Sequence, residues 1–149
     1  PTIYIQQEGI LNPIGEFLYE LARGEMPKLK TRNGFQVGVY VVVPPFPFND
    51  PRTFEINSKD TIIMFKKPPT DGIHIEEVKL VNGEWMVAGT DGYLLVATGV
   101  GTTMKQARAQ AYSRISNIII PDMYYRDDIG ERWADDSDRL HTWGYLREG

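Results

Sequence analysis

The chain has 149 residues, of which 42% are hydrophobic and 24% are charged, with a formal net charge of −4 and no cysteine. The length supports one domain with a real core, and the lack of cysteine excludes disulfides, zinc–thiolate sites and thiol nucleophiles. The acidic balance argues against a general nucleic-acid binder, which needs a basic face, and no apolar run is long enough to cross a membrane. A cytoplasmic origin fits this composition, and because the first residue is Pro1 we expect further residues upstream.

The first third of the chain is predicted to hold an N-terminal arm, one helix, one strand and a loop. Apolar side chains in residues 14–22 recur at helical spacing, with Asn12 as the expected cap and Pro13 at the first helical position. The valine-rich residues 36–43 are typical of a buried strand. Four prolines in residues 44–53 then predict a loop, because proline cannot donate a hydrogen bond to a strand partner.

The middle of the chain is predicted to be a series of antiparallel strands. Runs of β-favouring residues bounded by turn residues occupy residues 61–65, 73–81, 84–88 and 93–98. Asn82-Gly83 is the strongest short-range hairpin signal, and Asp91-Gly92 predicts a second turn. We therefore expect the last three runs to form one antiparallel meander.

The last third is predicted to contain a helix and a short strand. Residues 104–115 carry an apolar face at helical spacing, and Thr103 and Gln106 have the spacing of a capping box. Residues 118–120 then favour a last strand, which Pro121 would end. Strands in a hairpin series with segregated helices indicate an α+β fold, with a mainly antiparallel sheet and two flanking helices.

Outside residues 123–135, few residues match the pattern of a catalytic or metal-binding site. His74 and His141 have no spacing to a carboxylate cluster and no serine lies in a nucleophile-elbow pattern, so we predict neither a metal ligand nor a catalytic residue. The glycine-rich residues 97–103 favour a tight turn capped by Thr103 over a phosphate cradle. The run DDSD at 135–138 favours a solvated acidic tail over a cation site.

Residues 123–135, MYYRDDIGERWAD, mix aromatic residues with both signs of charge. One interpretation is an anion site, in which Arg126 and Arg132 bind a phosphate or carboxylate and Asp128 fixes an arginine or bonds a sugar hydroxyl. Gly130 would permit the turn that brings the two arginines together. The alternative is a salt-bridged surface segment whose apolar side chains pack inward, and the spacing alone favours this alternative.

Several segments read together resemble one enzyme family. The run YRDDIGERWA resembles the Y-R-x-D-I-G-x-R-A motif that closes phosphoribosylamine–glycine ligase, also called glycinamide ribonucleotide synthetase. The matching residues of that motif are Tyr125, Arg126, Asp128, Ile129, Gly130 and Arg132. Residues 81–112 also resemble the family's D-G hairpin, G-G-R-V-L strand, G-x-T-x-x-x-A helix and A-Y pair, and the resemblance as a whole covers residues 15–134.

The resemblance implies an ATP-grasp ligase of purine synthesis, which joins glycine to phosphoribosylamine with ATP and magnesium. Residues 25–149 would be its C-terminal domain, and residues 1–24 the tail of the ATP-grasp region with a linking helix. The implied partners are the upstream ATP-grasp and N-terminal domains and a phosphoribosyl substrate, with no nucleic acid and no membrane. ATP and magnesium belong to the full-length enzyme, so this chain is expected to bind neither and to be inactive alone. Its uncovered core face could let it form a homodimer.

The resemblance also implies roles for individual residues. In related ATP-grasp enzymes a basic C-terminal segment meets the substrate phosphate, which assigns substrate binding to Arg126 and Arg132 with Asp128 and Gly130. Two family patterns are missing, since PPFPFND replaces G-G-Y-P-G and no H-A-G-T occurs near His74. Ligand-binding residues usually lie in loops, and both missing patterns are loop patterns. Two alternatives therefore stay open: a noncatalytic interaction domain that kept the fold, or a related ligase with a different amine substrate.

Overall fold

The computed structural model describes residues 2–69 and 71–146 of the chain. Its five helices within these residues are α1 (Thr2–Gly9), α2 (Ile14–Ala22), α3 (Pro51–Asn57), α4 (Met104–Ile115) and α5 (Trp133–Thr142). Its seven strands there are β1 (Phe35–Val42), β2 (Ile62–Phe65), β3 (Ile73–Ile75), β4 (Val78–Val81), β5 (Glu84–Val87), β6 (Tyr93–Gly101) and β7 (Ile118–Ile119). All pairings between these strands are antiparallel, so the predicted α+β class is confirmed.

The first sheet has the strand order β1–β6–β3, with β6 in its centre. Residues 94–99 of β6 are all buried, and five of these six residues are apolar or glycine. A strand covered on both faces has such a nearly continuous apolar run, because neither face meets water. In the register, Ala97 lies opposite Val39 of β1 on one side and Ile73 of β3 on the other.

Two helices cover the two faces of this first sheet. On one face α4 lies close to β6, where a Cβ added at Gly99 would stand 3.0 Å from the Cβ of Ala111. On the other face α1 lies on β1, where a Cβ added at Gly38 would stand 2.6 Å from Cγ1 of Ile5. The two glycines therefore let both helices approach the sheet more closely than any larger residue would allow.

The second sheet has the strand order β4–β5–β2–β7. Its β4–β5 hairpin closes at Asn82 and Gly83, whose φ angles are 52° and 87°. Two consecutive left-handed residues are typical of a type I′ turn, whose twist matches that of the paired strands. The hairpin predicted from these two residues is thus confirmed.

One buried apolar cluster joins the two sheets and α4. Its members include Val39, Val41, Leu95 and Ala97 of the first sheet, Ile63, Val87 and Ile118 of the second, Ala107, Ala111 and Ile115 of α4, and Phe54 of α3. Because these side chains form a single cluster, neither sheet has a core of its own. The elements around the cluster therefore form one domain.

The helix content of the first third differs from the sequence-based expectation. The predicted arm contains α1, and the predicted loop at 44–53 ends in α3, whose N-cap Asp50 accepts hydrogen bonds from the backbone of Arg52 and Thr53 at 3.1 Å each. Helix α2 is confirmed, but the N-cap position belongs to Pro13. The amide of Asn12 instead accepts from Lys30 N at 2.6 Å, which ties the start of α2 to a following loop.

The predicted meander is wrong, because residues 73–81 divide between the two sheets. The break falls at residues 76–77, so β3 pairs with β6 in the first sheet and β4 pairs with β5 in the second. The chain then returns from β5 to the first sheet through residues 88–92. The carboxylate of Glu77 accepts from Asp91 N at 3.1 Å and from Gly92 N at 2.8 Å, which fixes this crossing.

The remaining elements, α4 and β7, form where the sequence predicts them. Helix α4 begins with the predicted capping box, in which Thr103 accepts from Gln106 N at 3.2 Å and Gln106 accepts from Thr103 N at 3.3 Å. Strand β7 lies at the predicted place before Pro121. Within residues 2–69 and 71–146, no helix combines the length and the apolar character that a membrane crossing requires.

Candidate functional site

The segment 123–135 is attached to the first sheet at its start. Tyr124 N donates to Val42 O at 2.9 Å and Val42 N donates to Tyr124 O at 3.0 Å, which forms an antiparallel bridge at the edge of β1. The Tyr124 hydroxyl donates to Phe46 O of the preceding loop. The start of the segment is therefore held by backbone and side-chain contacts to β1 and its loop.

Helix α4 holds the middle of the same segment. The Tyr112 hydroxyl donates to Arg126 O at 2.9 Å and accepts from Ile129 N at 3.1 Å. Arg108 Nη2 donates to Asp127 O at 3.0 Å. Burial of the ring raises the pKa of Tyr112, so its phenol keeps the proton that it donates.

Gly130 forms a turn at the centre of the segment. Its φ is +77°, the left-handed region that residues with a Cβ rarely adopt. A Cβ added there would stand 2.7 Å from Sδ of Met104, so the backbone lies against α4 with no room for a side chain. Both conditions require glycine at this position.

The structure gives each candidate arginine its own carboxylate. Arg126 donates from Nε and Nη2 to the two oxygens of Asp128 at 2.8 and 2.6 Å, a bidentate pair. The hydrogen bond from Arg126 lowers the pKa of Asp128. Arg132 Nη2 lies 3.3 Å from Asp136 Oδ1, one helical turn further along the chain. Arg126 and Asp128 thus lie together, and convergence of both arginines on one anion stays a prediction.

A small cavity of about 240 Å³ lies between β1 and the segment, and we name it the tyrosine cavity. Its walls are Gly38, Val39, Tyr40 and Val42 of β1, Phe46 of the loop, and Tyr124, Tyr125, Arg126 and Ile129 of the segment. Arg126 carries the charge in this mostly apolar lining. The arrangement suits a ligand with an anionic group beside Arg126 and an apolar or sugar face against the rings.

Tyr40 adds a hydroxyl of fixed orientation to the wall of the tyrosine cavity. Its hydroxyl lies 3.5 Å from Oε1 of Glu76, to which it donates. Burial and the nearby Glu76 carboxylate raise the pKa of Tyr40. The phenol therefore remains neutral near physiological pH, and its oxygen can accept a hydrogen bond from a ligand without adding charge.

A larger cavity of about 760 Å³ lies on the other side of the segment, and we name it the helix cavity. Helix α4 lines it with Thr103, Met104, Lys105, Arg108, Ala109 and Tyr112, and the rest of its wall is Phe35, Gly130, Glu131, Trp133 and Ala134. The segment therefore separates two cavities, with Arg126 on one side and Gly130 with Trp133 on the other.

Sequence reasoning missed the residues that position the segment. Tyr112 and Arg108 fix its backbone and Tyr40 lines its cavity, yet all three come from elements distant in sequence. The sequence places Ala111 and Tyr112 on the apolar face of the helix at 104–115 and in the family's A-Y pair, but neither observation predicts a contact with the segment. The 3.6-residue period of α4 places Arg108 and Tyr112 on one face, which was the available signal.

The other candidate motifs have local partners. In the glycine-rich turn, Oε1 of Gln106 accepts from Thr102 N at 3.0 Å and from Thr103 N at 3.3 Å, as a capped turn requires. His74 Nε2 lies 3.4 Å from Glu8 Oε1 and 3.3 Å from Thr98 Oγ1, so this histidine is locally bonded. Residues 135–138 belong to α5 rather than to a tail. The described ranges hold no group of three or more His, Asp or Glu side chains placed for a metal ion.

The sequence and the fold both match one family. The family model described as "Phosphoribosylglycinamide synthetase, C domain" matches residues 36–132, more than half of the chain. The matched part includes β1, both sheets, α4 and the segment as far as Arg132. The chain therefore belongs to the phosphoribosylglycinamide synthetase C-domain family.

Individual relatives carry a consistent name. The chain is 30% identical over 122 residues to a phosphoribosylamine–glycine ligase of Corynebacterium ammoniagenes, covering 80% of this chain and 27% of the relative. It is 27% identical over 127 residues to the enzyme of that name from Mycobacterium tuberculosis, covering 83% of this chain and 28% of the relative. A crystal structure of phosphoribosylamine–glycine ligase from Thermotoga maritima matches with a TM-score of 0.62 at 26% identity, over 79% of this chain and 28% of that one. The chain thus spans less than a third of the length of these relatives.

Proposed function

We propose that this chain is the part of an ATP-dependent phosphoribosylamine–glycine ligase that completes the substrate cleft. Residues 25–149 would form the C-terminal domain, and residues 1–24 would connect it to the upstream ATP-grasp region. Membership of the C-domain family and the greater length of the relatives support this assignment. ATP and magnesium, bound upstream, would activate the acid for attack by the amine.

The single observation that carries the proposal is the position of Arg126 beside the tyrosine cavity. Asp128 holds the Nε and Nη2 edge of its guanidinium, and Nη1 makes no hydrogen bond within the described part of the chain. A guanidinium held on one edge and free on another is oriented for an incoming phosphate. We therefore assign the substrate phosphate to Arg126, with Asp128 and Gly130 as positioning residues and Arg132 as a second cation.

The test uses the full-length protein and steady-state kinetics with phosphoribosylamine as the varied substrate. Arg126→Ala should raise KM for phosphoribosylamine about tenfold or more, since one lost charge-assisted contact is worth roughly 1.5–3 kcal/mol. KM for ATP should not change. Arg139→Ala is the matched control, because Arg139 is an exposed arginine of α5 that lines neither cavity. An Arg126→Ala enzyme with the original KM for phosphoribosylamine would remove Arg126 from the site.

One observation favours a related ligase with another amine as the second candidate. The loop after β1 reads PPFPFND, and its Phe46 forms part of the wall of the tyrosine cavity. A bulky aromatic ring at that wall reduces the room for a ligand. A screen of amines that follows ADP release would separate the two ligases, because the second predicts turnover with an amine other than phosphoribosylamine.

A further inference from the structure

We propose that the helix cavity is a second ligand site, which takes a nucleoside monophosphate. The proposal concerns a different side of the segment from the one that holds Arg126. It rests on the aromatic wall of the cavity, on its cations and on one buried donor without a partner. It does not depend on the proposed ligase function.

The aromatic wall suits a planar ring. Phe35 and Trp133 meet edge to face with ring centroids 5.0 Å apart, and Tyr112 lines the same cavity. Trp133 is partly exposed and meets Phe35 only at a ring edge. Arg108 already lies 5.8 Å above the ring of Tyr112, so Trp133 is the ring on which a base would stack. Nucleobases stack on such rings with little regard to base identity. The cavity is an open groove, and its volume of about 760 Å³ leaves room for a small ligand.

Two cations and one acid supply the charge of this cavity. Lys105 and Arg108 line it together with Glu131, and none of the three makes an ion pair in the part of the chain that the structure describes. Lys105 and Arg108 lie three residues apart on α4 and therefore on neighbouring parts of its surface. Their combined positive charge favours a phosphate, and Glu131 is the group that could accept from a ribose hydroxyl.

One N–H donor of the Arg108 guanidinium lacks a hydrogen-bond partner in the described residues. Its Nη2 donates to Asp127 O, whereas its Nε–H is buried and has no hydrogen-bond partner in the described residues. Buried donors are satisfied in nearly all native structures, so an unpartnered one needs an explanation. Because this atom is shielded from solvent, an anion oxygen in the cavity would become its acceptor only after the Arg108 side chain rotates toward the opening.

Part of this wall lies beyond the residues that match the family model. The family match ends at residue 132, whereas Trp133 and Ala134 lie in the first turn of α5, directly beyond it. Trp133 also stands where the family motif has alanine. The indole that completes the aromatic wall therefore lies just beyond the residues that match the family model.

The test titrates AMP into the 149-residue chain by isothermal titration calorimetry. AMP should bind, and adenosine and ribose 5-phosphate should each bind at least tenfold more weakly, because each lacks one of the two recognised groups. Lys105→Gln and Trp133→Ala should each weaken AMP binding at least fivefold. Trp143→Ala and Arg139→Ala are matched controls that should bind AMP like the original chain, since neither residue lines the helix cavity.

Several outcomes would overturn this second site. They are no AMP binding at millimolar concentration, equal binding of AMP and ribose 5-phosphate, or AMP affinity that neither Lys105→Gln nor Trp133→Ala reduces. Circular dichroism of each variant shows whether it is folded, and Lys105 is an exposed residue whose replacement leaves the core intact. Loss of AMP binding in Arg139→Ala would also overturn it, because the bound AMP would then not lie in the helix cavity. Failure here leaves the kinetic test of Arg126 unaffected.

Discussion

Gly130 and Gly83 have nearly the same backbone conformation in different surroundings. Their φ angles are +77° and +87°, but a Cβ at Gly130 would meet Met104, whereas nothing lies within 4 Å of one at Gly83. Gly83→Ala should therefore destabilise the chain by about 1–2 kcal/mol through backbone strain alone. Gly130→Ala should cost at least about 1 kcal/mol more, because Met104 must also move.

Urea unfolding of the two alanine variants measures this difference. The comparison removes the contribution of the left-handed backbone, which both positions share. Equal free energies of unfolding for Gly130→Ala and Gly83→Ala would show that the segment can move away from α4 without loss of stability.

At the scale of single residues, the sequence predicted the contacts that are local. Arg126 and Asp128 are two positions apart, so their pairing needs no knowledge of the fold. The partner of Arg132 depends on where α5 begins, because Asp136 comes within reach only when residues 133–136 are helical. The acidic composition of residues 135–138 favours a tail, so the sequence alone does not predict this partner.

The N-cap of α3 makes the stability of one element depend on pH. The hydroxyl of Thr53 donates to Asp50 at 2.6 Å and lowers the pKa of Asp50 below its ordinary value of 3.8. Because the pKa is lower in the folded chain, the stabilisation by this carboxylate is present above pH 3.8 and is lost as pH falls through the folded pKa. Asp50→Asn keeps a good cap that does not titrate.

The difference in unfolding free energy between the original chain and Asp50→Asn should therefore shrink as the pH falls below about 4. Thermal or urea unfolding from pH 7 to pH 2.5 measures it. The pairs of Asp60 with Lys79 and of Asp128 with Arg126 also titrate, but they are present in both proteins and cancel. A difference that stays constant over this range would contradict the role given to Asp50.

At the scale of elements, the sequence predicted the hairpin turn but not which sheet each strand joins. Asn82-Gly83 specifies its hairpin through local backbone preference. Whether residues 73–81 belong to one sheet or two depends on Glu77, whose carboxylate binds the distant turn at residues 90–92. The start of α3 had a readable signal, since Asp50-Pro51 is a cap followed by proline at the first helical position. The other prolines of residues 44–53 nevertheless favoured the prediction of a loop over that of a helix start.

The single core implies that the two sheets unfold together. Leu95 of the first sheet is 1% exposed, and Leu80 of the second sheet is 64% exposed. Leu95→Ala should lower the free energy of unfolding by about 2–5 kcal/mol, and Leu80→Ala should change it by less than about 0.5 kcal/mol. The loss should appear equally in both sheets, because the buried cluster joins them.

Two probes of urea unfolding check this cooperativity. Trp85 lies in β5 and packs against Phe65, so its fluorescence in a Trp133→Phe, Trp143→Phe background reports the second sheet. Far-ultraviolet circular dichroism reports the whole chain. The midpoints of the two transitions should coincide in the original chain and in Leu95→Ala, and separate midpoints would show two units that unfold independently.

The bridge between Val42 and Tyr124 also affects how copies of the chain behave toward each other. Strand β1 lies at the edge of its sheet, and residues 38–43, GVYVVV, carry no charge. An uncharged β-edge is a template for cross-chain pairing and for amyloid-like aggregation. Tyr124 occupies that edge through two backbone hydrogen bonds. The segment that borders both cavities therefore also keeps the β1 edge from pairing with other chains. A chain that ends before residue 123 should aggregate while the rest of it is still folded.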